Sequence, residues 1–250
     1  MTKVCIGVIT KNSGEWLPQV LKNMDTYAKC FDDYESLIVD GHSTDNTLQL
    51  SRDWADLQPD KRQVKLQPST TSPRPEKLVE ARTMIVDTFK AKFGPGVFLL
   101  LLDSDSVNGS PLEVEGFMTC FSSPTKWDAL FANQPTCYYD VWTLRDENLP
   151  HDYQVEWRQS FINSQPTDLS RIIKKYQAPK NPALGFWPVK SAFGGAGLYK
   201  TEKMSKIQPK YCCYYADGNQ ICEHVPFNLA LTAQGCELFI NCQWMISDHT

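Results

Sequence analysis

The segment Val97-Phe98-Leu99-Leu100-Leu101-Leu102, followed at once by Asp103-Ser104-Asp105, constrains the fold more than any other feature. Six successive apolar residues are too few to cross a bilayer and lack the alternation of a sheet wetted on one face. They read as a strand buried on both sides, the central strand of a mostly parallel sheet with helices on each face. Carboxylates at the end of such a strand cost free energy unless something satisfies them. Ligands of open α/β sheets bind beyond the carboxyl ends of the strands, where these acids fall.

The preceding residues repeat a strand-helix pattern. Val4 to Thr10 reads as a strand, and Ser13-Gly14-Glu15 opens a helix through Trp16, Leu17, Val20, Leu21 and Met24. Ser36 to Asp40 is a second strand, Ser43, Thr44 and Asp45 an N-cap cluster, and Leu48, Leu50 and Trp54 mark the next helix. A short strand at Val64 to Leu66 and a Pro-rich loop lead to a helix from Glu76 to Phe93, stopped by Gly94-Pro95. This order predicts an α/β, three-layer, Rossmann-like domain. Thr10-Lys11-Asn12, Asp40-Gly41-His42 and Asp103-Ser104-Asp105 then converge on one rim.

Beyond residue 107 the pattern is less regular: aromatic segments at 138–146 and 183–190, a Pro/Asn/Gln-rich loop at 147–182, and a small-residue turn at Phe193 to Gly197. A helix near Glu223 to Gln234 and a last strand, Glu237 to Cys242, follow. With no internal repeat or linker, residues 1–250 read as one domain with halves at 1–107 and 108–250.

Composition excludes several classes. A net charge of −4 without a Lys/Arg run carries no footprint for nucleic acid or an anionic membrane. No apolar window is long enough for a membrane span. MTKVCIGVIT lacks a signal-peptide pattern, and nine cysteines without a Cys-x-x-Cys pair read as reduced, buried side chains of a cytoplasmic protein. Asn108-Gly109-Ser110 matches a glycosylation acceptor, incidental without a secretory route.

In a strand, Asp103 and Asp105 point to one face while Ser104 points away. Paired oxygens there suit Mg²⁺ or Mn²⁺, which also takes oxygens from a substrate diphosphate and water; the plain alternative is a pair of turn-forming acids. An EF-hand is excluded, because Val107, Asn108 and Val114 stand where a ligand, a Gly and a Glu are required. DSDSV also fits the D-x-D-x-T/V motif of haloacid-dehalogenase-like phosphohydrolases, with Asp103 as nucleophile. That motif closes the first strand of its fold, whereas about a hundred residues precede it here, and no acidic GDxxxD-like element follows. A nucleotidyltransferase would need a Gly-rich, Arg-containing loop where residues 7–14 read GVITKNSG.

VCIGVITKNSGEWLPQVLKNM, LIVDGHSTDNT, EARTMIVDTF and VFLLLLDSDS, in that order, resemble the nucleotide-sugar half of GT-A glycosyltransferases, especially family 2. The resemblance implies that Asp40 contacts the nucleobase, that Arg82 sits near base or diphosphate, and that Asp103 and Asp105 address ribose and metal. Thr10, Asn12 and Ser104 complete the nucleotide-sugar set. Gly41 stands where the family pattern has a second Asp, and Thr83 where it has Asn. YYDVWTLRD, VKSAFGGAGLYK and CEHVPFNLAL are similar to motifs of cryptococcal-capsule-type mannosyltransferases and related viral glycosyltransferases.

The family's acidic pair at the late helix is Glu223-His224 here, with His in place of Asp. Three roles stay open: Glu223 as general base, His224 as base, or His224 as metal ligand, and His249 is a further candidate ligand. Gly194 and Gly195 could admit close approach of a sugar. Trp142, Trp187, Tyr138 and Tyr139 could stack on sugar faces, with core packing as the default for each. Arg145 pairs with a phosphate or with Asp146. What the resemblance implies is a Mn²⁺- or Mg²⁺-dependent enzyme moving a sugar from a UDP- or GDP-sugar to a glycan or glycoprotein acceptor. The alternatives are the phosphohydrolase and a sugar-binding module without turnover.

Overall fold

The computed structural model describes residues 1–68, 71–163 and 165–249. Eight strands form one sheet: β1 (Lys3–Thr10), β2 (Asp33–Asp40), β3 (Arg62–Leu66), β4 (Val97–Asp103), β5 (Ala129–Asn133), β6 (Phe186–Val189), β7 (Ala196–Lys200) and β8 (Leu238–Met245). Their spatial order is β3-β2-β1-β4-β7-β5-β8-β6. The pairs β1·β2, β1·β4, β2·β3 and β5·β8 are parallel, whereas β7 runs antiparallel to both β4 and β5, and β6 antiparallel to β8. β6 tolerates Pro188 because it is an edge strand with one hydrogen-bonding side unpaired.

Alternation along the central strands divides the core into two layers. Val4, Ile6 and Val8 of β1 and Phe98, Leu100 and Leu102 of β4 face one side. There they meet α1 (Leu17–Ala28), α2 (Thr47–Asp56) and α4 (Val114–Ser122). Cys5 of β1 and Leu99 and Leu101 of β4 face the other, against α3 (Arg74–Phe89) and α8 (His224–Thr232). Asp103 continues this second parity, so its register aims it at the α3 layer.

The structure moves several expected boundaries. Residues 13–16 form a turn in which the Trp16 and Leu17 amides donate to the Ser13 carbonyl, so α1 begins at Leu17, with Pro18 in its first turn. α3 ends at Phe89 and gives way to a 3-10 turn, Lys90–Lys92. The expected 147–182 loop contains α5 (Tyr153–Ile162) and α6 (Leu169–Tyr176), each capped by an aspartate: Asp152 accepts from the Gln154 amide and Asp168 from the Ser170 amide. α4, β5, β6, β7 and α7 (Thr201–Ile207) also lay outside the sequence reading, being short segments without a strong period. All nine cysteines are free, and no helix among the described residues is long and apolar enough to cross a membrane.

Gly7 brings α3 close to the sheet. A Cβ there would sit 2.3 Å from Ile85 Cγ2 and 3.1 Å from Leu101 Cδ2, so any side chain pushes α3 outward, together with Arg82 one turn before Ile85. Gly7→Ala is expected to destabilise the fold by about 1–3 kcal/mol through overpacking, read as a lower denaturant midpoint at unchanged m-value.

Candidate functional site

A cavity of about 700 Å³ opens at the carboxyl ends of β1, β2 and β4, within the usual range for a ligand site. The pairings Thr10↔Asp40 and Ile9↔Asp103 bring these strand ends level. The cavity is lined by Thr10, Asn12, Gly41, Gln67, Arg82, Asp103, Ser104, Asp105, a 139–143 loop segment, Phe193, Glu223, His224 and His249, among others.

Arg82 holds the centre. Its guanidinium, 3% exposed, donates from Nη2 to Asp103 Oδ1 (2.9 Å) and from Nε to Glu223 Oε1 (2.8 Å). It lies 4.7 Å from the centroid of the Phe193 ring. One cation thus joins α3, the end of β4 and the N-terminus of α8. Its Nη1 is buried in the cavity wall without a hydrogen-bond partner, a donor left over for a ligand acceptor. Burial pushes the Asp103 carboxyl up to about 7, against the pull of Arg82 and with the aid of Asp105.

The two aspartates are placed differently. Asp103 ends β4, whereas Asp105 caps the 3-10 turn Ser106–Asn108, its Oδ1 accepting from the Val107 amide at 3.3 Å. Ser104 does not face away from the cavity as strict strand alternation required; it lines it and shares a 2.9 Å hydrogen bond with the Ser13 hydroxyl, because the strand has ended. Asn108, which the sequence marked only as a glycosylation pattern, locks this turn: its buried amide donates to the carbonyls of Asp103 (2.9 Å) and Gly195 (3.0 Å). Its burial also removes it as a glycosylation acceptor in the folded chain.

No group of three or more His, Cys, Asp or Glu side chains among the described residues is arranged to hold a metal ion. Asp103, Asp105, His224 and His249 therefore do not form one protein-made cage. The oxygen donors of Asp105 and Asp103 at the cavity fit a hard divalent cation that completes its shell with a ligand's phosphate oxygens and water. His249 is exposed at the rim, stacked on Tyr139 with 4.8 Å between centroids.

Asp40 does not reach the cavity. It is fully buried, and its two carboxylate oxygens accept from the amide (2.8 Å) and hydroxyl (2.6 Å) of Ser43. Gln67, at the end of β3 and unmarked in the sequence by any motif, lines the cavity instead. Its Nε2 donates to the Lys77 carbonyl (2.8 Å) and Glu80 Oε2 (2.7 Å), which fixes Oε1 as an acceptor beside Gly41. Asn12, itself left-handed (φ 51°), holds the neighbouring loop through its Oδ1, which accepts from the Thr44 amide at 2.7 Å. Thr10 presents an unpartnered, buried hydroxyl.

His224 is 1% exposed and lies flat on Phe193, with centroids 3.8 Å apart. Neither ring nitrogen has a hydrogen-bond partner. Burial, reinforced by the Arg82 charge, holds its pKa well below the ordinary histidine range, so the ring is neutral. Glu223 Oε1 is 3.7 Å from His224 Nε2.

Other expected residues lie elsewhere. The Arg145 guanidinium bonds Asp152 rather than Asp146: it is 2.6 Å from the Leu144 carbonyl and 3.2 Å from Asp152 Oδ2, buried and outside the cavity lining. The Trp187 indole donates to Asp146 and packs under Lys180, on β6 away from the cavity. Gly194 (φ 63°) and Gly195 (φ 90°) serve close packing: a Cβ would lie 2.9 Å from the Ala132 carbonyl oxygen and 2.5 Å from Val107 Cγ2, respectively. Tyr138 is fully buried, its hydroxyl accepting from the Phe193 amide, while Trp142 and Tyr139 line the cavity.

No family model matches the chain, and no curated protein matches it. Solved structures do. TarS 1-349 from S. aureus superposes with a TM-score of 0.54 at 14% identity, over 100% of this chain and 60% of that one. Its complex with UDP-GlcNAc gives 0.51 at 13%, over 100% and 59%. The mannosyltransferase PcManGT from Pyrobaculum calidifontis, in complex with GDP-Man and Mn²⁺, gives 0.50 at 15%, over 98% and 56%. The fold is that of GT-A glycosyltransferases, and the chain spans less than two thirds of the length of these solved chains.

Arg82→Ala strands two carboxylates and is expected to cost about 3–5 kcal/mol, measured by denaturant unfolding. A separate pH effect comes from Asp140, in the cavity wall, whose carboxyl burial pushes up to about 6. A raised carboxyl favours the protonated folded state. Its stabilisation is therefore full below the unfolded value near 4 and is lost as pH rises through about 6. Asp140→Asn should flatten that part of the stability–pH curve.

Proposed function

We propose that the protein is a metal-dependent glycosyltransferase that moves a sugar from a nucleoside diphosphate sugar to a hydroxyl of a glycan or glycoprotein acceptor. The observation that carries this reading is the buried Asp103–Arg82–Glu223 chain at the strand-end cavity of a GT-A fold. It ties the acids at the end of β4 to the start of α8. Similar solved structures, one in complex with UDP-GlcNAc and another with GDP-Man and Mn²⁺, support the same class of donor.

The base would lie at the β2–β3 end, where Gln67 Oε1 accepts from a ring N–H such as uracil or guanine carries, in the place that Asp40 vacates. Thr10 Oγ1 and Arg82 Nη1 are donors for ribose and phosphate oxygens. Asp105, with Asp103, would hold a divalent cation, which supplies charge neutralisation for the departing diphosphate. His224 receives the acceptor's proton: it is neutral, faces the cavity and has a free lone pair. Glu223, whose Oε1 is held by Arg82 and whose Oε2 accepts from Cys222 Sγ at 3.5 Å, supports the imidazolium that forms rather than acting as the base. Bond breaking at the anomeric carbon leaves negative charge on the diphosphate, near the Arg82 cation.

A thermal-shift series with UDP, GDP and their sugars, with and without Mn²⁺, tests the reading. A bound donor at a hundred times its Kd stabilises by about 2.7 kcal/mol, and Asp105→Ala should remove the Mn²⁺-dependent part. If no nucleotide moves the transition, or if a phosphomonoester instead leaves an aspartyl phosphate on Asp103, the proposal fails. His224→Ala should keep donor affinity while slowing transfer by roughly 10²–10⁴-fold, measured with a saccharide acceptor in excess.

A further inference from the structure

The wall of the cavity formed by the 139–143 segment holds polar groups that the proposed chemistry does not use. Asp140 lines it with no cation paired among the described residues: its Oδ2 accepts from the Gly194 amide at 3.2 Å, and its other close polar neighbour is Thr143. Two residues on, Trp142 Nε1 is buried without a partner, on a ring packed against Ile221, Cys222 and Val225. His224, 1% exposed, adds two unpartnered ring nitrogens to the same cavity. A buried carboxylate held by Gly194 and Thr143 but by no cation among the described residues, and an orphaned indole N–H in the same cavity wall, are costs to the free protein that a bound molecule recovers.

The donor and acceptor pattern selects the ligand. Asp140 has carboxylate lone pairs left for a further donor, Trp142 lacks an acceptor, and a neutral imidazole offers one of each. A phosphate would meet the repulsion of Asp140 and Glu223. An ammonium would satisfy Asp140 but offer nothing to the indole. A neutral ring bearing neighbouring hydroxyls supplies donors and acceptors together, and its apolar face suits an indole.

We propose that Asp140 and Trp142 form a subsite for a pyranose ring, with the Asp140 carboxylate accepting from a sugar hydroxyl and Trp142 Nε1 donating to a sugar oxygen. The inference rests on the glycosyltransferase reading for its nucleotide but not for the polyol itself. The ring can arrive on the donor or on the acceptor, and both present the same chemistry.

Titration calorimetry on wild type, Asp140→Asn and Trp142→Phe tests it with UDP, GDP, UDP-glucose and GDP-mannose in Mn²⁺, and with methyl glycosides added to the UDP- or GDP-loaded protein. Asn keeps an oxygen for the Gly194 amide, and Phe keeps an aromatic ring in the smaller Trp142 cluster while removing the indole N–H, which bonds nothing, so both variants should fold. A donor-borne ring predicts that each substitution weakens the nucleotide sugar roughly tenfold or more while the bare nucleotide stays within about twofold. An acceptor-borne ring predicts the same loss for the methyl glycoside with donor affinity unmoved. If both folded variants bind every sugar as wild type does, or lose sugar and bare nucleotide equally, the subsite is overturned. Failure of wild type to bind any nucleotide would sink the glycosyltransferase reading instead. Methyl glycosides titrated without nucleotide then decide the subsite: variant-sensitive binding upholds it, and no binding overturns it.

Discussion

The buried guanidinium of Arg82 depends on carboxylates at two distant points of the chain, and the site depends on Arg82. Its bonds to Asp103 and Glu223 span three elements. Without them a charge in the α3 layer would have no compensation, and two acids would face each other across the cavity. Charge pairs of this kind add little net stability against an apolar alternative, but losing one partner is costly. The arrangement therefore fixes geometry: it sets how far the end of β4 stands from the start of α8, and so where a ligand between them must lie.

The sheet supplies the rigid frame for that geometry. β1, β2 and β4 end in register, and glycine at position 7 lets α3 approach closely enough for Arg82 to reach the strand end. On the far side of the cavity, β7 returns antiparallel beside β4. The Asp103 amide donates to the Gly195 carbonyl at 2.9 Å, and Asn108 clamps both backbones. The glycines of the 193–197 turn thus act through packing against Ala132 and Val107 rather than through exposure to a ligand.

The site carries unsatisfied polar atoms where a folded core normally has none: Thr10 Oγ1, Arg82 Nη1, Trp142 Nε1 and both nitrogens of His224. All belong to residues lining one cavity. Such orphaned groups lower stability in the free protein and favour a ligand of complementary polarity. Together with the Asp140 carboxylate in the same cavity, they offer a ligand both donors and acceptors.

Much of this was legible in the residues alone. The VFLLLL run and the strand-helix spacing before it determined a buried parallel sheet, its helices on both faces and the rim where Asp103, Asp105, Thr10 and Asn12 gather, because periodicity and burial are local properties. The parity of β4 even aimed Asp103 toward the α3 layer. Partner choice was not local. That Arg145 would bond Asp152, that Ser43 would occupy Asp40, that Gln67 would take its place in the cavity and that Glu223 would be held by a residue 141 positions away depended on how loops cross in three dimensions. The irregular second half hid α5, α6 and β7 for the same reason: short elements gain stability from tertiary packing rather than from their own pattern. The sequence by itself thus determined the scaffold and its active edge, and only the tertiary structure decided which charges meet there, because pairing energy depends on distance and burial that no linear spacing encodes.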